Sequence, residues 1–449
     1  MERTLFGTDG IRGIAGEYPL DPRTVHAAGV ALGEWSRQHH NGAGTPEVVI
    51  GMDTRESGPV LAAQLAGGLA RAGVRARLAG LITTPGVAWL TRNDIFVAGV
   101  MISASHNPYQ DNGIKAFGHN GYKLPDEEEY ALEQVILRLC AEGIEPREEQ
   151  LEVEAQLDDR YLEYLASTFP APLGGIKIAL DCGNGAATHL APVLMRRLGA
   201  DVQAIGVAPD GRNINLQCGS LHMHGLQRAV VEADAEAGFA FDGDADRCIA
   251  VSRSGKVVDG DALLLLCARH LKAGGRLSGS SVVATVMSNL GLEKALAAEN
   301  IALVRTPVGD KYVLEEMLRC GAVIGGEQSG HLIFLDQATT GDGLLTALRV
   351  LEVMQASSRG LDELTSDLKA FPQTLVNVRV RERKPLWELG AVRAAIQAAE
   401  AALGVDGRVL VRFSGTEPLA RVMVEGPTTE AVASHARSIA GAITAELGA

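Results

Sequence analysis

The segment Ile102-Ser103-Ala104-Ser105-His106-Asn107-Pro108 places a hydroxyl beside an imidazole at the end of an apolar run, with Asp111, Asn112, Gly113 and Lys115 close behind. A serine oxygen in such a setting can carry a phosphoryl group, provided that something activates it and something neutralises the transferred charge. Pro108 stiffens the loop, His106 adds a donor and Lys115 brings a cation. The same residues would also serve as a polar turn with an N-cap serine, so the segment gains its meaning from its companions.

The next is Asp242-Gly243-Asp244-Ala245-Asp246-Arg247, behind the apolar run at 239–241. In an extended turn, alternate residues point to one side. Carboxylates gathered in this way repel one another, and a hard divalent cation relieves the repulsion. Mg2+ keeps coordination positions open for water or a phosphate oxygen, which suits phosphoryl transfer. A calcium-binding EF-hand loop also begins D-x-D-x-D, but it requires Gly at its sixth position and Glu at its twelfth. Arg247 and Arg253 stand there, which excludes it. A solvated acidic turn is the plain alternative.

Two further loops are rich in glycine and polar groups. Gly325-Gly326-Glu327-Gln328-Ser329-Gly330-His331 offers a carboxylate, an amide, a hydroxyl and an imidazole, enough for directed hydrogen bonds to sugar hydroxyls. It could equally be the turn of a hairpin between runs at 322–324 and 332–334. Arg412-Phe413-Ser414-Gly415-Thr416-Glu417-Pro418, with Arg421 beyond, combines hydroxyls, glycine and two guanidinium groups in the manner of a phosphate cradle. A surface hairpin is the rival there. Near the start, Phe6-Gly7-Thr8-Asp9-Gly10-Ile11-Arg12-Gly13 supplies Arg12, a further cation that could face a transferring phosphoryl group.

These loops need elements to hold them. Strand patterns fall at 47–51, 96–102, 176–181 and 281–286, with helical patterns at 59–72, 186–198, 260–271 and 310–319. Such alternation predicts α/β layers, whose ligands gather at strand C-termini. The tail reads differently: strand 374–380, helix 386–403, strands 408–413 and 421–425 and helix 429–447 predict a small α+β domain. Breaks at 142–154, 252–259 and 370–373 divide the chain into 1–153, 154–253, 254–369 and 370–449. Gly183-Asn184-Gly185 imitates part of a dinucleotide-binding fingerprint, but its third glycine is missing and a plain strand–turn–helix joint is expected.

Composition narrows the choice of partner. The net charge of −14 repels nucleic acid and anionic lipid, yet permits local cations to hold a small anion. The 6 cysteines are scattered and none are in CxxC spacing, which predicts a reduced, cytoplasmic protein without a disulfide framework. The start lacks the apolar region of a secretory signal, and no run nears the roughly 18 apolar residues of a membrane span. Neither a nucleic-acid nor a membrane partner is expected, and the sequence leaves open whether the chain forms a homodimer.

With these loops assembled, the chain resembles the α-D-phosphohexomutase superfamily, and within it the bacterial subgroup acting on glucosamine phosphates. The likeness spans essentially the whole length. It rests on FGTDGIRG at 6–13, SASHNPYQDNGIK at 103–115, GGEQSGH at 325–331, TTGDG at 339–343, RFSGTEP at 412–418 and RVMVEG at 421–426. Phe413 departs from the Pro or Lys common in that loop, and is expected to point away from the chemistry.

The resemblance implies three similar mixed α/β domains and a C-terminal α+β domain around a central cleft. It implies conversion of glucosamine 6-phosphate to glucosamine 1-phosphate, on the route to cell-wall amino sugars. A phosphorylated Ser105 would donate to the bound sugar phosphate, forming a sugar bisphosphate that turns over and returns its other phosphoryl group. One Mg2+ per chain would be held by Asp242, Asp244, Asp246 and Ser105. Lys115 and Arg12 would stabilise charge, Lys115 or His331 would move protons, and His106 and Arg247 would support them. Glu327 and Ser329 would contact sugar hydroxyls, while Arg412, Ser414, Gly415, Thr416 and Arg421 would hold the non-reacting phosphate. Phosphoglucomutase or phosphomannomutase activity is the alternative within the superfamily. A metal-dependent phosphatase and a non-catalytic sugar-phosphate binder are the alternatives outside it.

Overall fold

The computed structural model describes residues 4–7, 9–414 and 418–449, arranged as four sheets with flanking helices. The chain divides into two compact units. One runs through Met287 and takes in Leu303–Thr365; the other comprises Ser288–Ala302 and Ser366–Ala449.

The first sheet has the order β1-β2-β6-β5-β3-β4, from β1 (Phe6–Gly7), β2 (Gly10–Ile14), β3 (Glu47–Met52), β4 (Arg75–Leu81), β5 (Ala98–Ile102) and β6 (Asp111–Gly118). β3 pairs in parallel with β4 and β5, while β6 runs antiparallel to β5 and β2. β5 is buried at every position, so its sequence AGVMI carries no polar alternation. Helices α1 (Pro22–His39), α2 (Gly58–Arg71), α3 (Thr84–Asn93) and α4 (Asp126–Ala141) accompany it. α3 starts at a true cap: Thr83 Oγ1 accepts the N–H of Gly86, with Pro85 in the first turn. That start fixes Thr84 at the rim of the sheet.

The second sheet, ordered β11-β10-β9-β7-β8, holds β7 (Lys177–Asp181), β8 (Asp201–Ile205), β9 (Ala237–Phe241), β10 (Cys248–Ser252) and β11 (Val257–Val258), with α5 (Gln156–Ser167), α6 (Ala187–Arg197) and α7 (His224–Ala233). β7 runs through a turn directly into α6, the joint expected at 183–185. β9 and β10 form an antiparallel pair in which Phe241 faces Cys248, so 242–247 is a hairpin loop.

The third sheet, β13-β12-β14-β15, is built from β12 (Ser281–Thr285), β13 (Ala302–Thr306), β14 (Ile324–Gly326) and β15 (Leu332–Phe334). α8 (Gly260–Ala273), α10 (Asp310–Cys320), α11 (Gly343–Ser357) and the short α12 (Leu361–Leu364) belong to the same unit, whereas α9 (Leu290–Ala298) packs in the other. The apolar run 263–266 is buried within α8. β14 and β15 pair antiparallel, making 327–331 the loop of a second hairpin.

Cross-links join these layers. Tyr161 on α5 donates to Asp342 at 2.7 Å, and Gly343 N–H donates to the carbonyl of Ala245 at 2.9 Å. Cys248 N–H reaches the carbonyl of Gly330 at 3.0 Å. The two hairpin loops are thereby held against each other.

The second unit has a three-stranded antiparallel sheet, β16-β18-β17, from β16 (Gln373–Arg379), β17 (Arg408–Phe413) and β18 (Leu419–Glu425), with α13 (Gly390–Leu403) and α14 (Thr429–Leu447). Its core joins Val422 and Val424 to Ile439 and Ile443. The helix begins at Gly390, not at 386, because the chain bends at Leu389 (ψ 112°) and Leu386 turns into this core. β18 begins at Leu419, ahead of the predicted strand, because Ala420 pairs with Phe413 and Val378. Among the described residues, no helix is long and apolar enough to cross a membrane.

Candidate active site

Ser105 lies in the loop that leaves β5, with its side chain buried and its backbone in the left-handed region at φ 52°. Such a conformation in a non-glycine residue costs about 1–2 kcal/mol and needs support. The support starts with Asp53, at the end of β3, which accepts Ser103 Oγ at 2.6 Å; Ser103 Oγ in turn accepts Ser105 N–H at 2.9 Å. Arg55 is fully buried and paired with Asp53 at 2.9 Å. Its guanidinium donates to the carbonyls of Ser105, Asn107, Pro108 and Asp111, and so frames the whole loop.

The Ser105 hydroxyl donates to Asp242 Oδ2 at 2.6 Å. Asp242, Asp244 and Asp246 bring carboxylate oxygens within 4.8 Å of one another, all in buried side chains. Their convergence differs from the extended arrangement expected of them. The hairpin loop turns sharply, with Ala245 N–H bonded to the carbonyl of Asp242 at 3.1 Å and Ala245 itself at φ 55°. Asp244 Oδ1 and Asp246 Oδ1 are buried without a hydrogen-bond partner. Burial pushes the Asp242 carboxyl well above its ordinary range, and the charges of Asp246 and Asp244 push it further. Buried, mutually repelling carboxylates with oxygens to spare fit a hard divalent cation.

Cations ring this cluster. Lys115, on β6, is fully buried with Nζ 2.8 Å from Asp244 Oδ2 and 3.1 Å from Asp9 Oδ2. Burial pulls its pKa down, but Asp244 and Asp9 outweigh it, and the group is held as an ammonium. Arg12, on β2, pairs with Asp9 and donates to the carbonyl of Ala104 at 3.1 Å. Arg247 Nε stands 4.0 Å from Asp242 and 3.9 Å from Asp246. His106 Nδ1 is 3.5 Å from Ser105 Oγ. Burial pushes that imidazole down to about 4, helped by Arg247 and Arg12, which keeps it neutral near pH 7.

His331 Nδ1 faces Asp246 at 3.6 Å, and the N–H of Gly341 points at Nε2 from 3.1 Å. Burial pulls the pKa of this imidazole down, but Asp246 and then Asp310 outweigh it and push it up to about 9, so Nδ1 carries a proton toward Asp246. Glycine is required at 341 by this approach, since a Cβ there would sit 2.5 Å from the imidazole. On the same loop, Glu327 accepts the N–H of Gly309 at 3.1 Å and Ser329 Oγ at 3.2 Å, with Ser329 exposed.

Ser105, His106, Lys115, Arg12, Arg247, His331 and the carboxylate trio thus meet in one place, with Glu327 and Ser329 on the loop that carries His331. In the second unit, Arg412 and Arg421 are register partners on β17 and β18. Burial, and then the neighbouring Arg421, push Arg412 below its usual range. Ser414 is buried at the end of β17, and its N–H bonds the carbonyl of Leu419 at 2.8 Å. Phe413 packs into the core of that unit, away from the arginine face, as expected. Gly415 and Thr416, with Thr8 of the N-terminal segment, lie outside the described residues.

Several residues of the site escape a sequence reading. Thr84 holds Asp244 from α3, and Asn215 reaches the Ser105 loop from the second sheet's connections. Lys123 bridges Asp9 and Asp310 at 2.5 and 2.6 Å. Asp53 and Arg55 did carry a signal: a charged pair directly behind an apolar strand, where a parallel sheet gathers its functional loops.

Comparison with known proteins follows the same layout. Four models of the phosphoglucomutase/phosphomannomutase family match in order: alpha/beta/alpha domain I at residues 3–140, domain II at 159–255, domain III at 259–371 and the C-terminal domain at 375–442. The chain is 61% identical to a phosphoglucosamine mutase of Solibacter usitatus over 100% of both proteins. It is 50% identical to one of Koribacter versatilis, over 99% of this chain and 98% of that protein. A crystal structure of a phosphoglucomutase/phosphomannomutase family protein from Burkholderia thailandensis superimposes with a TM-score of 0.80 at 25% identity, over 98% of this chain and 97% of the other. With all four domains matched in sequence and the fold matched in space, the chain belongs to the phosphoglucomutase/phosphomannomutase family.

Proposed function

We propose that this protein interconverts glucosamine 6-phosphate and glucosamine 1-phosphate in the cytoplasm, through a phosphorylated Ser105 and a sugar bisphosphate. The observation that carries the reading is the Ser105 hydroxyl, 2.6 Å from Asp242 within the buried carboxylate trio. The choice of glucosamine rests on the relatives at 61% and 50% identity, both named phosphoglucosamine mutase. The division into domains at 1–153, 154–253, 254–369 and 370–449 belongs to the same proposal.

In this reading the bond between phosphorus and Ser105 Oγ breaks as one forms to the free hydroxyl of the bound sugar phosphate. The hydroxyl loses its proton, and Oγ gains one. The bisphosphate then reverses in the site and returns its other phosphoryl group to Ser105. Lys115, fixed as an ammonium, and Arg12 face the charge on the moving group. His331 moves protons, the neutral His106 supports the serine beside it, and Arg247 steadies the carboxylates. Asp242, Asp244 and Asp246, with the Ser105 phosphate, would hold one Mg2+, which when bound draws negative charge away from the phosphoryl group. Glu327 and Ser329 orient the sugar, while Arg412, Ser414, Gly415, Thr416 and Arg421 hold the phosphate that is not reacting.

The test is Ser105→Ala, compared with wild type on glucosamine, glucose and mannose phosphates. We expect loss of turnover and of covalent phosphate by intact mass, and wild-type preference for glucosamine. Full turnover without Ser105 refutes the carrier role. Equal turnover on glucose phosphate removes the sugar assignment. Stoichiometric release of inorganic phosphate would indicate a phosphatase.

A further inference from the structure

The carbonyl of Ser105 receives more attention than its hydroxyl. Arg55 Nη2 and Asn215 Nδ2 both donate to it at 2.9 Å, and Asn215 Nδ2 also reaches the carbonyl of Asn107 at 3.2 Å. Gly243 presses on the same oxygen: a Cβ at that position would fall 2.3 Å from it and 3.0 Å from Asn215 Nδ2. Fixing this carbonyl fixes the left-handed backbone of Ser105, and through it the direction of the Cα–Cβ bond that carries Oγ. Without the donors, the serine can relax toward the β region and swing Oγ away from Asp242.

The two donors differ in origin. Arg55 follows β3 of the first sheet and frames the loop that leaves β5 of that sheet. Asn215 comes from the connection between β8 and α7, behind the second sheet, with its backbone at φ 58° and its N–H bonded to the carbonyl of Gly183 at 2.8 Å. Its amide reaches Ser105 only where the loops of the second domain meet the first. The carboxylates that face Ser105 come from that same domain, so one docking event brings both the carboxylate trio and the group that aims the hydroxyl at it.

We infer that Asn215 is a positioning residue for phosphoryl transfer, acting through the carbonyl of Ser105. This rests on the reading of Ser105 as the phosphoryl carrier. Two substitutions suit the positive φ at this position: Asn215→Asp keeps the shape but replaces the donor with an acceptor, and Asn215→Gly removes the side chain. The full-length protein is measured below the Tm of each variant, with rates expressed per folded, phosphorylated chain from circular dichroism and intact mass. A misaimed nucleophile should lower kcat by roughly tenfold to a hundredfold. KM for glucosamine 6-phosphate should stay within about twofold, because the sugar contacts are untouched.

A kcat per folded, phosphorylated chain within about twofold of wild type in both variants overturns the inference, whatever happens to Tm. So does a rise in KM that accounts for the whole loss. Ser105→Ala runs alongside: turnover surviving there refutes the carrier reading itself. Wild-type rates in the Asn215 variants, beside an inactive Ser105→Ala, refute only the positioning role.

Discussion

Thr84 holds Asp244 twice, through its backbone N–H to the Asp244 carbonyl at 3.0 Å and through Oγ1 to Oδ2 at 2.6 Å. Lys115 takes the same Oδ2, which leaves Oδ1 buried and without a partner. One oxygen is thus used to orient the carboxylate and the other is presented to the cluster. Groups that orient a metal ligand in this way typically change metal affinity about 10- to 100-fold when removed. Thr84→Val keeps the shape and the backbone bond but loses the hydroxyl. The Mg2+ concentration for half-maximal activity should rise about tenfold, and the stabilisation that Mg2+ gives in thermal unfolding should weaken in parallel. An unchanged Mg2+ dependence by both measures would remove Thr84 from this role.

Much of this site was legible because its pieces are local. Ser105 to Lys115, Asp242 to Arg247 and Gly325 to His331 are contiguous stretches, each beside a strand whose apolar run announces it. What the sequence could not display is contact between distant segments. Lys123 and Asp310 are 187 residues apart, yet pair directly, and the same ammonium also holds Asp9. Asn215 lies 110 residues from the carbonyl it serves. The convergence of the three aspartates was anticipated for the wrong geometric reason, since a tight hairpin loop with Ala245 in the left-handed region gathers them. The bend at Leu389 also depended on tertiary packing, because helical periodicity alone does not mark where Leu386 enters a core.

Asp342 caps α11 through the N–H of Leu345 and accepts the Tyr161 hydroxyl at 2.7 Å. Burial nevertheless pushes its carboxyl up to about 6 from an ordinary 3.8. The folded protein therefore binds this proton more tightly than the unfolded chain. Its contribution to stability is fully present below about pH 4 and is lost as pH rises through 6. Asn caps helices as well as Asp and carries no charge to bury. Asp342→Asn should flatten the fall in stability between pH 4 and pH 7, by a difference on the order of 3 kcal/mol. Urea unfolding of both proteins across this range checks it, and parallel curves would refute the assignment.

Arg412 and Arg421 face each other across β17 and β18, and like charges placed directly opposite weaken a sheet. Arg412 is held below its usual range by burial and by Arg421, and the role proposed for the pair is to hold a phosphate. Arg421→Gln should weaken the response of the protein's Tm to phosphate. For glucosamine 6-phosphate, loss of a charge-assisted bond of about 1.5–3 kcal/mol predicts a rise in KM of roughly 10- to 100-fold. kcat should fall less, because the role proposed for Arg421 is to hold the phosphate that is not transferred. Steady-state kinetics separate the two constants, and thermal unfolding with and without inorganic phosphate gives an independent reading. A variant with wild-type KM and an undiminished phosphate response would place the anion elsewhere.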